Sequence, residues 1–226
     1  MKIRLFLVGV FLLLAGCVAE PQRPVFLDHE ILEREDMKVG VILADLPEPD
    51  VHLPGADCLL CIAAAEAMNS TLSTHVKTWV PDEFSIVKSD LVKMLKEKGV
   101  TVVAIEEAID IEKLPKNKSK VPYSAKRIYA SYKEKYDVNH LLVVDIDQLG
   151  VRRSYASYVP TSDPQALISG SSYLVELSTN TYKWYKPISI TKSASGNWDE
   201  PPNYPALTNA YFQIIATGRE MILAEF

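Results

Sequence analysis

The chain has 226 residues, of which 48% are hydrophobic and 9% aromatic, and its formal net charge at pH 7 is -5. This composition is typical of a globular protein with a buried core and excludes a disordered chain. The mildly acidic balance argues against nucleic acid as a partner and against a broad electrostatic attraction to anionic lipid.

The N-terminus has the pattern of a secretory leader. Lys2 and Arg4 precede an apolar stretch that is too short for a permanent transmembrane helix, and small residues follow it. The end of this stretch, Leu14-Ala15-Gly16-Cys17, resembles the lipobox of bacterial lipoproteins. The resemblance implies that residues 1–16 are a signal peptide, that cleavage occurs before Cys17, and that Cys17 is acylated and anchors the protein to a membrane.

The residues that follow the lipidated cysteine bear on location. In lipoproteins of enteric type an Asp at the next position signals retention in the inner membrane. Val18 stands there in this chain, which favours the periplasmic face of the outer membrane over the inner membrane. Residues 17–36 contain Pro21, Pro24 and a charged run, and we expect them to form a tether to a single domain that spans residues 37–226.

Cys58 and Cys61 are the two thiols that remain once Cys17 is acylated. An oxidising compartment disfavours a free pair, and three interpretations stay open: a local structural disulfide, a thioredoxin-type redox centre and part of a metal site. A redox centre needs a helix N-terminus directly after a strand, whereas a proline-containing loop precedes this pair. A metal site needs more ligands, and the sequence has no second CxxC and no HxxxH.

Hydrophobic periodicity predicts the elements of the domain. Apolar runs and alternating patterns indicate strands, and apolar residues at helical spacing indicate helices with recognisable start and stop signals. In chain order we expect a strand at Lys38–Leu43, an Ala-rich helix at Cys58–Leu72, a helix at Val87–Leu95 ended by Gly99, a strand at Val100–Ile105, a helix from Ser124 to Tyr136, a long bulged strand from His140, a hairpin at Ser172–Ile190, and a closing helix from Pro205.

This order predicts an α/β fold: a mixed sheet of about five strands, with helices packed on it, in βαβαβββα order. It resembles a group of envelope domains found in the curli-secretion lipoprotein, the N-terminal part of TolB and lipoproteins that activate peptidoglycan synthases. It is also similar to an uncharacterised family of lipoproteins. The residues that carry the likeness are Val39–Leu43, Val87–Ile105 and Ser172–Ile190 with the closing helix. The resemblance implies a non-catalytic adaptor that binds another envelope protein, either as a monomer or as an oligomer.

We find no signature of an enzyme and therefore predict neither catalytic residues nor a cofactor. The sequence has no GxSxG elbow, no Gly-rich phosphate loop and no histidines at metal-ligand spacing. Asp145 and Asp147 follow a central strand and point to one face, where α/β folds place binding sites. They predict either a small-ligand or ion site, or two polar residues where the strand leaves the core.

Aromatic residues in two loops are candidates for partner binding, because aromatic side chains anchor protein interfaces. Trp198 and Tyr204 lie in a loop rich in Gly, Pro and Asn before the closing helix, and Trp79 lies in a second loop. Each of them either contacts a partner or packs on the core. The sequence thus favours an envelope scaffold or accessory subunit. A protein that binds a small periplasmic ligand or ion, and a thiol-disulfide oxidoreductase acting through Cys58 and Cys61, are the alternatives.

Overall fold

The computed structural model describes residues 21–107 and 109–226. Its strands are β1 (Lys38–Leu43), β2 (Asp50–His52), β3 (Thr101–Ala104), β4 (His140–Arg152), β5 (Tyr155–Ala156), β6 (Val159–Pro160), β7 (Gln165–Glu176) and β8 (Thr181–Ser193). The helices are α1 (Leu59–Met68), α2 (Ser70–Val76), α3 (Asp82–Ser85), α4 (Val87–Glu97), α5 (Ser131–Tyr136) and α6 (Pro205–Leu223). None of the helices in these two ranges is long and apolar enough to cross a bilayer.

The main sheet has six strands. Its order is β3-β1-β4-β7-β8, and β2 pairs with the outer part of β4, while β5 and β6 form a separate ribbon. The pairs β1–β3, β1–β4 and β2–β4 are parallel, and the pairs β4–β7 and β7–β8 are antiparallel. The predicted mixed α/β fold, with two crossovers followed by a meander, is confirmed.

The sixth strand, β2, lies in a stretch that we expected to be only a loop. Strand β1 pairs with β4 as far as Val144, and β4 continues to Arg152. Backbone groups of β4 beyond Val144 would therefore lack partners on that side, and the groups at Gly150–Arg152 pair with β2. The proline-containing loop thus returns to the same edge of β4 that β1 leaves.

The sheet has a hydrophobic core on each face, and the centre of β4 contributes to both. Leu142 and Val144 belong to the core that α4 and α6 cover, whereas Leu141 and Val143 belong to the opposite core. All four residues are buried, as expected for a central strand in a sheet covered on both faces. The predicted closing helix is confirmed, and the residues that it buries recur at helical spacing: Leu207, Ala210, Tyr211, Ile214, Ile215, Gly218 and Ile222.

The predicted helix from Ser124 to Tyr136 is wrong in its first half. Only Ser131–Tyr136 is helical, because the backbone of the preceding residues is bonded to the turn between β7 and β8. The backbone amides of Ala125 and Tyr129 donate to the backbone and side-chain oxygens of Asn180, respectively, and the side-chain amide of Asn180 donates to the Arg127 carbonyl. These long-range bonds replace the local bonds of a helix.

Part of the stretch that we interpreted as a tether packs on the domain. The Val25 amide and carbonyl pair with Tyr185 of β8, and a short 3-10 helix follows at His29–Glu33. Leu27 and Leu32 are buried in the core that α4 and α6 cover. Because these apolar side chains lose contact with water on folding, the described fold begins near Val25 rather than at residue 37.

Candidate functional site

The predicted lipidation site and the signal peptide at 1–16 lie outside the described residues, so Cys17 stays a prediction. The other candidate residues fall into two separate regions. Asp145 and Asp147 lie in a cleft on the sheet face opposite α6. The cysteine pair, Trp198 and Tyr204 lie around α1 and α2.

The cleft, which we name the Asp145 cleft, has a volume of about 400 Å³. It lies over β4, β7 and β8, beside the irregular connection that leads from β3 to α5. Acidic and basic side chains, four tyrosines and small polar groups line it, together with one apolar residue: Ile111, Glu112, Lys116, Asn117, Lys126, Arg127, Tyr129, Asp145, Asp147, Ser171, Tyr173, Tyr182 and Tyr185.

A β-bulge in β4 brings the two aspartates to this cleft. The pairing of β4 with β7 shifts between Ile146 and Gln148, which leaves Asp147 as the extra residue. Gly170 lies opposite Ile146, and a Cβ atom there would come within 2.3 Å of the Asp145 carbonyl oxygen. The bulge therefore depends on a residue without a side chain at position 170. Both aspartates line the cleft, as their shared face predicted.

Tyrosine rings form the aromatic side of the cleft. The hydroxyl oxygens of Tyr129 and Tyr173 are 2.7 Å apart, both buried. The Tyr173 ring stacks on Tyr185 at 5.9 Å and meets Tyr182 edge-on at 5.4 Å, measured between ring centres. Tyr182 accepts a hydrogen bond from the Lys126 amide through its hydroxyl oxygen, so the tyrosine cluster also fixes the connection that borders the cleft.

The electrostatics of the cleft centre on Asp145. Burial, together with the smaller effects of the charges of Asp147 and Glu112, raises the pKa of Asp145 from its ordinary 3.8 to about 6. Among the residues that the structure describes, none makes a hydrogen bond or ion pair with this carboxylate. Its charge contributes in turn to the raised pKa of Tyr129, Tyr173 and Tyr182, for which burial is the main cause.

The other two carboxylates in the cleft have basic neighbours. Arg127 forms an ion pair with Glu112 and also donates to the Leu114 carbonyl. Asp147 is exposed, although partial burial of its carboxyl is the main cause that raises its pKa; the positive charge of Lys126 opposes this effect. Asp145 is thus the carboxylate of the cleft whose negative charge has no basic neighbour among the described residues. No group of three His, Cys, Asp or Glu residues within 21–107 and 109–226 is arranged to hold a metal ion.

In the second region Cys58 and Cys61 form a disulfide. Cys58 caps the N-terminus of α1, and its sulfur accepts a hydrogen bond from the Cys61 amide. Cys61 and Ala65 are buried against Tyr155, whereas Leu59 and Leu60 are 88% and 82% exposed. Ile62 and Met68 are also exposed. These four side chains make up what we name the α1 surface.

A network of polar contacts joins the end of α1 to the loop that carries Trp198. Asn69 is buried. Its side-chain amide nitrogen donates to the Ala65 carbonyl and to the Tyr155 hydroxyl, both at 2.6 Å. The Arg153 guanidinium donates to the Asn69 side-chain oxygen at 2.9 Å and lies 5.1 Å from the centre of the Trp198 ring. Trp198 therefore packs at the surface beside α1 instead of extending freely from its loop.

Trp198 and Tyr204 are brought together as the sequence suggested. Their rings are parallel, with centres 6.2 Å apart, and both residues are partly exposed. Tyr204 also lines a groove of about 640 Å³ between α2 and the loop at 199–204. The pair is therefore accessible from solvent, but Arg153 and Tyr204 each occupy part of the surface of Trp198.

The hypothesis that Trp79 contacts a partner is wrong. Trp79 is 5% exposed and packs on Tyr211 of α6, with ring centres 4.5 Å apart. Its indole N–H donates to the His75 ring at 3.3 Å. Because its apolar area is buried and its polar atom is bonded, Trp79 is a core residue.

Sequence reasoning missed the tyrosine cluster as part of a site. The sequence predicted only that Tyr129 lies in the helix from Ser124 to Tyr136 and that Tyr173 and Tyr182 lie in the hairpin at Ser172–Ile190. The signal that could have indicated the site was the alternation of side chains along β4. Val143 and Asp145 point to the same face of the sheet, before the bulge, and Tyr173 of β7 points to that face too. The register that brings Tyr173 beside Val143 and Ser171 beside Asp145 could not be derived without the pairing of β4 with β7.

No family model matches the chain, and no curated protein matches its sequence. Among solved structures, a Helicobacter pylori protein described as a neuraminyllactose-binding hemagglutinin homologue is 16% identical over 92% of this chain and 88% of its own, with a TM-score of 0.35. A DUF330 protein from Xanthomonas campestris is 13% identical over 91% and 93%, with a TM-score of 0.36. A lipoprotein from Neisseria meningitidis is 14% identical over 80% and 99%, with a TM-score of 0.28.

These similarities are too distant to carry an argument about function. They also leave untested the resemblance to the curli-secretion, TolB and synthase-activator domains, which stays a prediction. The function has to be argued from the residues themselves.

Proposed function

We propose that this chain is an envelope lipoprotein, anchored through Cys17 to the periplasmic face of the outer membrane, whose domain binds another envelope protein and catalyses no reaction. The observation that carries the proposal is the α1 surface. Leu59 and Leu60 expose most of their side chains at the start of a helix with a single charged residue, Glu66. Large apolar side chains that a folded domain leaves in water are candidates for interaction sites.

The α1 surface is held in place before any partner arrives. The disulfide between Cys58 and Cys61 closes the first turn of α1, and the Asn69 network fixes its last turn. A preformed surface loses little conformational entropy on binding, so more of the energy of apolar burial contributes to affinity. Arg153 links Trp198 to Asn69 at the end of α1, and Trp198 and Tyr204 are residues of the type that dominates interface energies.

The lipid anchor would bring this surface to its partner. The lipobox resemblance at Leu14–Cys17 supports acylation, and several acyl chains suffice for stable attachment. A membrane-held protein meets other envelope proteins at a raised effective concentration, so an apolar surface of modest area can support a useful complex. We expect Cys17→Ser to abolish acylation, with palmitate labelling as the measurement.

Photo-crosslinking tests the partner surface. A photoreactive amino acid in place of Ile62 should give a discrete adduct with one envelope protein in intact cells, and the same amino acid in place of Val121 should not. Leu59→Ser combined with Leu60→Ser should abolish the adduct without lowering the melting temperature, because both side chains are already in water. The matched control is Phe26→Ser with Val121→Ser, since these side chains are 88% and 61% exposed but lie outside the α1 surface.

Two results would contradict the proposal. Equal adducts from positions 62 and 121 would mean that the α1 surface is not specific. An undiminished adduct in the double serine variant would mean that its exposed leucines make no energetic contribution to the contact.

Thiol-disulfide exchange is a second candidate function, and one observation favours it. The structure places Cys58 at the N-terminus of α1 with Cys61 one turn inside, which is the helix position that a redox pair requires. However, the residues between β2 and Cys58 form a loop, so the strand does not lead directly into the helix. A variant with alanine at both cysteines that folds normally but loses its role in the envelope would favour exchange over the structural interpretation.

A further inference from the structure

The Asp145 cleft contains a charge that the protein itself does not compensate. Glu112 is paired with Arg127, and Asp147 lies in the field of Lys126. Lys116 also lines the cleft, but it is exposed and can remain hydrated. Asp145 is partly buried and makes no hydrogen bond or ion pair with any residue that the structure describes. A partly desolvated carboxylate without a partner costs stability, so its presence calls for an explanation.

The local structure offers no structural role for this carboxylate. Asp145 lies on the face of β4 where Leu141 and Val143 are core residues, and an apolar residue or serine would satisfy the same position in the strand. Its cross-strand neighbour is Ser171, and the next pair along the ladder is Val143 with Tyr173. The side chain thus reaches into the cleft beside a hydroxyl group and an aromatic cluster instead of bonding to the protein.

The surroundings of Asp145 match an organic cation. Tyrosine rings attract a cation through the negative charge of their faces, and Tyr185 is a partly exposed ring in this cleft. An ammonium group also donates charge-assisted hydrogen bonds, which are the strongest that a carboxylate accepts. A volume of about 400 Å³ is sufficient for a molecule with a single ring.

We propose that the Asp145 cleft binds a small molecule carrying an ammonium group. The Asp145 carboxylate accepts hydrogen bonds from this group, and the tyrosine cluster encloses it. Ser171 and the amide of Asn117 line the cleft and supply polar contacts for the remainder of the ligand. The proposal is independent of the α1 surface, because the two sites have no residue in common.

A divalent metal ion fits this site less well than an ammonium group. Calcium takes six to eight oxygen ligands, and magnesium demands an octahedral set. Asp145 and Asp147 would supply only two carboxylates. Among the described residues, no third acidic, histidine or cysteine side chain completes a metal-binding cluster with them. The tyrosine hydroxyls of Tyr129 and Tyr173 are bonded to each other.

The experiment is a titration of the full chain in detergent micelles, with carbon-13 in its tyrosine rings, observed by NMR. The probe is benzylammonium chloride, and the matched neutral probe is benzyl alcohol, which has the same ring without the charge. Benzylammonium should shift the ring signals of the tyrosine cluster, with saturation at about millimolar concentrations, and benzyl alcohol should bind at least about tenfold more weakly.

Asp145→Asn is the diagnostic variant and Asp147→Asn its control. The first should weaken benzylammonium at least about tenfold and leave benzyl alcohol unchanged, while the second should change either affinity by less than about threefold, because Lys126 already compensates Asp147. Equal binding of the two probes by the wild-type chain would overturn the proposal whatever the variants do, as would unchanged benzylammonium binding by a folded Asp145→Asn chain. Absence of ring shifts with both probes would overturn it too.

Discussion

Replacing Asp145 by asparagine should stabilise the protein at neutral pH. The carboxyl has a pKa of about 6 in the folded chain against an ordinary value of 3.8, mainly because of burial. Since each unit of difference corresponds to about 1.4 kcal/mol, ionised Asp145 costs up to roughly 3 kcal/mol. We discount this to about 1–2 kcal/mol because the side chain retains some contact with water. Asparagine has nearly the same shape and carries no charge, so it should recover that amount.

The raised pKa also predicts how the stabilisation by Asp145→Asn changes with pH. The folded state holds the proton more tightly than the unfolded state, so the proton stabilises the fold where both states bind it, below about pH 4. The penalty grows as the pH rises from about 4 to about 6, and above that it is complete. The advantage of Asp145→Asn should therefore be greatest at pH 7 to 8 and should disappear near pH 4. Denaturant unfolding at a series of pH values measures it.

Two controls isolate the effect. Burial lowers the pKa of His140 to about 4, so this histidine also changes stability between pH 4 and 6.5, in the opposite direction. Its contribution is common to the wild type and the variant and cancels in their difference. Asp147→Asn should show a smaller gain, since Lys126 lowers the cost of that charge. A difference that is constant with pH, or a less stable Asp145→Asn chain at pH 7, would refute the reasoning.

Three further substitutions test the structural assignments. Trp79→Ala should lower the free energy of unfolding by about 3–5 kcal/mol, as measured by denaturant titration, because it empties a core position; a loss below about 1 kcal/mol would contradict its burial. Alanine at both Cys58 and Cys61 should cost about 2 kcal/mol or less, measured by thermal melts, because so short a loop removes little unfolded-state entropy. Gly170→Ala should cost about 1–3 kcal/mol or more, since its Cβ would meet the β4 backbone; an unchanged melting temperature would exclude that contact.

Elements with a long, regular pattern could be predicted from the sequence. The apolar residues from Leu207 to Ile222 recur at helical spacing and define a single face of α6. Gly99 ends α4 with the positive φ that a C′ residue adopts. The run from Leu141 to Val144 indicated a strand buried on both faces. In each case the residues favoured by local backbone conformation are also the ones that the core requires, so the sequence pattern matches the observed element.

Elements that depend on distant partners could not be predicted. The residues from Ser124 to Ala130 carry a helical pattern, but the side chain and backbone of Asn180 bind them in another conformation. Strand β2 has three residues and forms because β4 extends beyond β1. Leu27 and Leu32 lie in the stretch that we interpreted as a tether because of its prolines and charges, and only the position of the core shows that they are buried.

The candidate sites divide in the same way. Asp145 and Asp147 could be singled out because two carboxylates follow an apolar strand, and this needs no knowledge of the partner strands. The tyrosines around them come from a separate connection and a hairpin, and only the register of β7 and β8 assembles them. The sequence left Trp79 open between a partner contact and the core, because a tryptophan two residues before a proline has the same local pattern in an exposed loop and at the edge of a core.

Both proposed sites contain residues that the fold does not require, and this is the strongest reason to regard them as sites. Exposed Leu59 and Leu60 contribute nothing to the folded core, although polar residues would serve equally well at the start of α1. The raised pKa of Asp145 predicts that its charge lowers stability at neutral pH, although asparagine would fit. Natural proteins retain such destabilising groups mainly where a ligand or partner compensates for them. The two proposals name different molecules, because exposed leucines favour an apolar protein surface and a partly buried carboxylate without a partner favours a cation.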